Sequence, residues 1–194
     1  VTTTGILLFD DVEELDFAGP WEVLTVARCD GDSVVTVAEQ PGPIRCGQGL
    51  RVMADHTFDD CPPLDVIVVP GGQGPFTEID NPVLMGWLAE VSANADWVTS
   101  VCTGTLLLWA TGAAKGRTVA THSMFVEGLR EMGDITVVDD RRWVADGNLV
   151  TAAGVSAGID MALWLVGQIY GEEHGRYVQQ AIEYEPEPPF SRQT

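Results

Sequence analysis

Short runs of consecutive apolar residues alternate along this chain with longer stretches whose apolar residues recur every three to four positions. Gly5-Ile6-Leu7-Leu8-Phe9 is the first such run; it halts at Asp10-Asp11 and predicts a strand buried on both faces, as in a parallel sheet. From residue 13 to 28, Leu15, Phe17, Val23, Leu24 and Ala27 keep helical spacing, with Gly19-Pro20 marking a bend. Val34-Val35-Thr36-Val37-Ala38 predicts a second strand, and Pro41-Gly42-Pro43 a turn before a short hairpin around Gly47-Gln48-Gly49. Leu64-Asp65-Val66-Ile67-Val68-Val69 is a third buried strand, stopped by Pro70-Gly71-Gly72. Asn81-Pro82 then opens a helix reaching about residue 92, with Asn81 as the N-cap and Pro82 in the first turn.

The second half repeats the alternation. Trp97-Val98-Thr99 leads through Ser100-Val101-Cys102-Thr103-Gly104 into the apolar segment Thr105-Leu106-Leu107-Leu108-Trp109-Ala110. Residues 118–121 predict a strand ending at His122, followed by a helix (124–132), a strand (135–138) and a hairpin turning at Asp146-Gly147-Asn148. Gly154 to Gly158 lead into an apolar helix over 159–170, then a last helix over 172–184 and an extended proline-rich tail. Strands alternating with helices predict an α/β protein with a mostly parallel sheet. No repeat, low-complexity block or linker divides the 194 residues, so one domain over 1–194 is expected.

Charge narrows the partners. There are 29 acidic residues against 10 basic, a net charge of −19, and Lys115 is the one lysine. Nucleic acids and anionic membranes need basic patches, so neither is an expected partner; no helix-turn-helix segment is visible either. Such acidity suits either a halophilic source, where salt screens self-repulsion, or an ordinary acidic protein that prefers arginine. No apolar run is long enough to cross a bilayer, and the chain opens without a basic signal-peptide region. Four cysteines without metal-ligand spacing suggest neither a disulfide scaffold nor a structural metal, which makes a reducing cytoplasm the expected location.

The chemistry concentrates on three strand ends. A strand ending in cysteine, then glycine two residues on, then a helix, describes a nucleophile elbow with sulfur as the reactive atom. A helix start offers unpaired N–H groups that favour thiolate, so Cys102 is expected to be exposed and reactive. Gly71-Gly72 at a neighbouring strand end lets backbone approach a ligand; the N–H groups of Gly72 and Thr103 can form an oxyanion-type pocket, although a plain turn fits the glycine pair as well. Asp16, set among Leu15, Phe17 and Ala18, is either a helix cap or a buried carboxyl whose raised pKa makes it a proton donor. His122 either orients Cys102 or is a satisfied core histidine; Trp21 and Trp109 read as packing residues or pocket walls. Cys29, Cys46 and Cys61 read as inert buried residues.

Together, Leu15-Asp16-Phe17-Ala18-Gly19-Pro20, Pro70-Gly71-Gly72, Ser100-Val101-Cys102-Thr103-Gly104 and Ala120-Thr121-His122 resemble the ThiJ/PfpI superfamily, and within it the isonitrile hydratase branch. The resemblance runs from about Gly5 to Phe190. It implies a homodimeric, flavodoxin-like three-layer sandwich with the cysteine elbow near the subunit interface. It also implies Cys102 as nucleophile, Asp16 as acid/base and Thr103 as its neighbour, acting on a small isonitrile without metal or organic cofactor. The peptidase-like branch carries histidine where Thr103 stands, and glutamine amidotransferases carry a late His-x-Glu where His174 precedes Gly175-Arg176, so neither activity is expected. Ser123 and Trp109 depart from the hydratase branch, which carries an aromatic and a small residue there. Glyoxalase or deglycase chemistry on α-oxoaldehydes is the nearest enzymatic alternative, and a redox-sensing or ligand-binding module the non-catalytic one.

Overall fold

In the computed structural model, which describes residues 1–190, a seven-stranded sheet runs through the protein in the order β10-β11-β7-β6-β1-β2-β5. Its strands are β1 (Thr3–Leu7), β2 (Ser33–Ala38), β5 (His56–Thr57), β6 (Val66–Val69), β7 (Trp97–Val101), β10 (Trp143–Asp146) and β11 (Leu149–Ala152). Every pairing is parallel except β10 with β11, which the Asp146-Gly147-Asn148 turn folds into an antiparallel hairpin. The central strands are the apolar runs: Val66, Ile67, Val68 and Val69 are fully buried. Helices flank the sheet. On one side α1 (Glu14–Val26) packs on α6 (Ala157–Tyr170), and α6 on α7 (Glu172–Ala181); elsewhere α2 (Pro75–Glu78) and α3 (Pro82–Asn94) pack on α4 (Gly104–Ala110). This is the expected α/β sandwich with a mostly parallel sheet.

Several local readings hold with their expected mechanism. The Asn81 side chain accepts from the N–H groups of Val83 and Leu84, capping α3 with Pro82 behind it. The hairpin around Gly47-Gln48-Gly49 is β3 (Pro43–Arg45) against β4 (Arg51–Met53). Gly19-Pro20, read as a bend, lies inside an unbroken α1. A Cβ on Gly19 would sit 2.9 Å from Ile159, so α6 presses close at this step.

Other readings shift. The strand expected at residues 118–121 is reduced to β8 (Thr118–Val119), which pairs with β9 (Thr136–Val137) outside the main sheet. Side-chain oxygens take the place of a ladder there: Ala120 N–H donates to Thr151 Oγ1 (2.7 Å) and Thr118 N–H to Asp146 (2.8 Å). The helix expected from 124 begins as a 3-10 turn at Ser123–Phe125 before α5 (Val126–Glu131), and α7 ends at Ala181 rather than residue 184. Among the described residues no helix is long and apolar enough to cross a membrane.

Candidate active site

β1 lies between β2 on one side and β6 on the other, so the chain reverses its direction of travel through the sheet at this strand. In open α/β sheets ligands bind beyond the C-terminal strand ends at such a reversal. The β1–α1 and β6–α2 loops meet there and are stitched together: Glu13 N–H donates to Gly71 O (3.0 Å), and the N–H groups of Gln73 and Gly74 both reach Asp11 O at 3.1 Å. The end of β7 carries Cys102 into the same place.

Cys102 sits at φ 58°, the left-handed region that non-glycine residues seldom occupy, which is the backbone signature of an elbow. Backbone and side-chain hydrogen bonds hold it. Its N–H lies 3.0 Å from Ala153 O and 3.2 Å from Ala152 O, and its carbonyl accepts from Thr121 Oγ1 at 2.8 Å. Two glycines make room: a Cβ on Gly104 would fall 2.2 Å from Val69 O, and one on Gly71 2.5 Å from Thr103 N.

Asp16 occupies the first turn of α1 and is fully buried. It caps nothing in its own helix; its Oδ2 accepts the Gly71 N–H across the loop junction at 2.9 Å. Oδ1 has no hydrogen-bond partner among the described residues, and the Cys102 side chain is near enough to act on the carboxyl's pKa. Burial raises the carboxyl pKa from 3.8 to about 7; the charge of Glu13 adds to the rise, while the Gly71 and Cys102 hydrogen bonds oppose it. A carboxyl poised there can give or take a proton near neutral pH.

The sulfur departs from expectation. Cys102 is only 5% exposed, and burial, followed by the charge of Asp16, pushes its pKa up to about 11. Hydrogen bonds from the Thr103 and Gly72 backbones and from the Thr103 side chain lower it, but desolvation wins. The expected exposed thiolate is therefore a buried thiol at neutral pH.

Thr103 and Gly72 lie beside that sulfur, locked to one another. The Thr103 hydroxyl donates to Gly72 O (2.7 Å) and accepts from Gly72 N–H (2.9 Å). The two N–H groups expected to form an oxyanion-type pocket both reach the sulfur, and the Gly72 N–H is shared with the Thr103 hydroxyl.

The thiol borders a cavity of about 350 Å³ with Glu13, Gly72, Thr103 and His122. Its apolar wall is Phe76 and Phe125, in edge-to-face contact at 5.1 Å, with Met124 (90% exposed) and Val155 beside them. Sequence reasoning missed Glu13 and this wall; Glu13 lies one helical turn before Asp16, a spacing that would have flagged it, whereas nothing marked Phe76. His122 borders the cavity without a bond to Cys102; its Nδ1 accepts the Met124 N–H at 3.2 Å. Trp109 lies elsewhere, its Nε1 donating to Gly133 O at 3.0 Å. Of the remaining cysteines, Cys46 is buried and Cys61 half-buried as inert residues would be, but Cys29 is exposed, contrary to expectation. A larger cavity of about 600 Å³ between α6, α7 and the tail shares no lining residue with this one. Among the described residues no group of three or more His, Cys, Asp or Glu could hold a metal ion.

A parallel-sheet sandwich with a cysteine elbow at its topological reversal and a buried carboxyl beside the sulfur defines the class. The chain belongs to the DJ-1/PfpI family, whose model matches residues 3–168. It is 41% identical over 186 residues to an isonitrile hydratase of Pseudomonas putida, covering 96% of this chain and 80% of that protein. A solved ThiJ/PfpI family protein from Pseudomonas syringae superposes with a TM-score of 0.91 at 30% identity, covering 97% of this chain and 77% of that one. Drosophila melanogaster DJ-1beta superposes at 0.83 with 21% identity, covering 95% and 99%, a likeness of fold. The isonitrile hydratase match supports an enzyme of this family.

Proposed function

We propose that the protein hydrates an isonitrile to an N-substituted formamide. The observation that carries this reading is the fully buried Asp16 beside the Cys102 thiol, its pKa raised to about 7. Asp16 draws the proton from sulfur as the sulfur bonds to the terminal isonitrile carbon, then delivers that proton to the same carbon. The product is a thioimidate, R–N=CH–S–Cys102, formed by net addition of S–H with no proton left over. Asp16 next takes a proton from water as the resulting hydroxide adds to the thioimidate carbon, and passes it to the nitrogen; the hydroxyl proton then goes to sulfur as the C–S bond breaks and R–NH–CHO leaves. The Thr103 and Gly72 N–H groups stabilise the sulfur while it is anionic. The 41% identity to an isonitrile hydratase supports the substrate class, and the family resemblance extends the reading to a cytoplasmic homodimer.

The test is formamide production from cyclohexyl isocyanide by wild type, Cys102→Ala and Asp16→Asn, with methylglyoxal assayed alongside. Turnover by wild type and none by Cys102→Ala is expected. Hydration that survives Cys102→Ala, or lactate formation without isonitrile turnover, would refute it.

A further inference from the structure

A second cavity, of about 230 Å³, backs onto the first: His122 and Val155 line both. The first has an apolar wall of phenylalanines and methionine; the second is lined by Ser123, Ser156 and the charged stretch Asp139-Asp140-Arg141-Arg142. Two of those charges are committed. Asp139 pairs with Arg130 at 3.1 Å, and Arg142 pairs with Asp160. Arg141 makes no ion pair among the described residues, in a chain holding 29 acidic residues against 10 basic. On the shared wall, His122 accepts the Met124 N–H on Nδ1, which leaves Nε2 as its donor atom. Donors thus gather behind an apolar chamber, in a space sufficient for a short polar tail.

We propose that this cavity receives a carboxylate on the substrate's N-substituent, with Arg141 as the recognising cation. The substrate is then an isonitrile whose reactive carbon meets Cys102 while an apolar segment lies against Phe76 and Phe125 and an anionic end reaches Arg141. The inference rests on the hydratase reading for the reactive group. Asp140, also without an ion pair among the described residues, is the opposing group: if it dominated, a cationic tail would be favoured.

The experiment measures equilibrium binding and turnover separately. Three matched isonitriles, with a carboxylate, a methyl ester and an ammonium end, are titrated calorimetrically into Cys102→Ser and into the same protein carrying Arg141→Gln or Arg141→Lys. The carboxylate is expected to bind about tenfold tighter than the ester, with the preference lost in Arg141→Gln and largely kept in Arg141→Lys, as a charge-assisted contact of an exposed arginine requires. Equal affinities, no binding, a preference that survives Arg141→Gln, or tighter binding of the ammonium compound would overturn the subsite. Wild-type turnover reports on the hydratase reading independently. Arg141-dependent binding without formamide from any of the three would sink that reading and leave the subsite standing; turnover of the ester without carboxylate preference would do the reverse.

Discussion

Replacing Asp16 by asparagine should make the protein more stable, and increasingly so as pH rises. An aspartate whose pKa is higher in the folded chain than in the unfolded one holds its proton more tightly when folded. The stability this lends is fully present below the unfolded value, near 3.8, and is lost as pH climbs through the folded value, about 7. That gap is about 3 pH units, and at about 1.4 kcal/mol per unit the ionised, buried carboxylate costs about 4 kcal/mol once pH exceeds 7. Asparagine preserves the shape, and its carbonyl oxygen can keep the Gly71 N–H bond that Oδ2 accepts at 2.9 Å. It does not titrate, so its other effects form a constant offset. Urea melts of wild type and Asp16→Asn, at fixed salt from about pH 5 to about pH 8, should show the stability difference growing in the variant's favour by roughly 3 kcal/mol. Groups common to both proteins cancel in that difference. A gap that stays flat across this range would show that Asp16 is ionised throughout, and the acid/base role argued for it would fall. Hydration of isonitrile by the variant should drop by about 10²–10⁴-fold over the same range, the usual contribution of a positioned acid/base.

Two further substitutions test the frame around the sulfur. Thr103→Val removes a hydroxyl that both donates to Gly72 O and accepts from Gly72 N–H, leaving the carbonyl without that partner and the N–H with only the Cys102 sulfur; a loss of about 1–3 kcal/mol in denaturant melts is expected, with a parallel fall in turnover. Gly104→Ala would place a methyl group 2.2 Å from Val69 O, a backbone atom that cannot rotate aside. Overpacking of that kind costs about 1–3 kcal/mol and must distort the elbow, so its melting temperature should fall and Cys102 should become easier to alkylate; an unchanged melt would mean that the close approach is not needed.

The parts of the fold that the sequence made legible are those set by local chemistry. The buried runs at the centre of the sheet, the Asn81-Pro82 helix start and the Asp146-Gly147-Asn148 hairpin each follow from side chains acting on their own backbone. The elbow was legible for the same reason, since the strand, Cys102 and Gly104 are neighbours in sequence. What was hidden depends on residues far apart. β8 leaves the main sheet because Thr151 and Asp146, about thirty residues later, supply its bonding partners. The two-residue β5 is too short and polar to announce itself. The protonation of Cys102 could not be inferred from its own segment, because the desolvation comes from walls contributed by other loops and the added charge from Asp16 on α1.

That protonation state discriminates between the enzymatic and sensor readings. A peroxide-sensing cysteine works through its thiolate and must be reachable, so it needs a low pKa and an open setting. Cys102 has the opposite on both counts, with a pKa near 11 and 5% exposure. Isonitrile hydration is not hindered in the same way, because the sulfur's proton is consumed by the reaction and ends on the isonitrile carbon. Moving it first to Asp16 spans about 4 pH units, roughly 5 kcal/mol. A turnover of about 10 s⁻¹ corresponds to a barrier of roughly 16 kcal/mol, so the transfer fits within it. Once Asp16 has the proton it is neutral, and its charge no longer raises the energy of the thiolate. The reactive pair therefore rests as thiol and carboxylate until an electrophile small enough to enter the cavity arrives. Mild peroxide at neutral pH should leave Cys102 unmodified by intact-mass analysis while a free thiol in the same solution oxidises. Rapid conversion of Cys102 to sulfenic or sulfinic acid would mean an ionised sulfur and would return the sensor reading to first place.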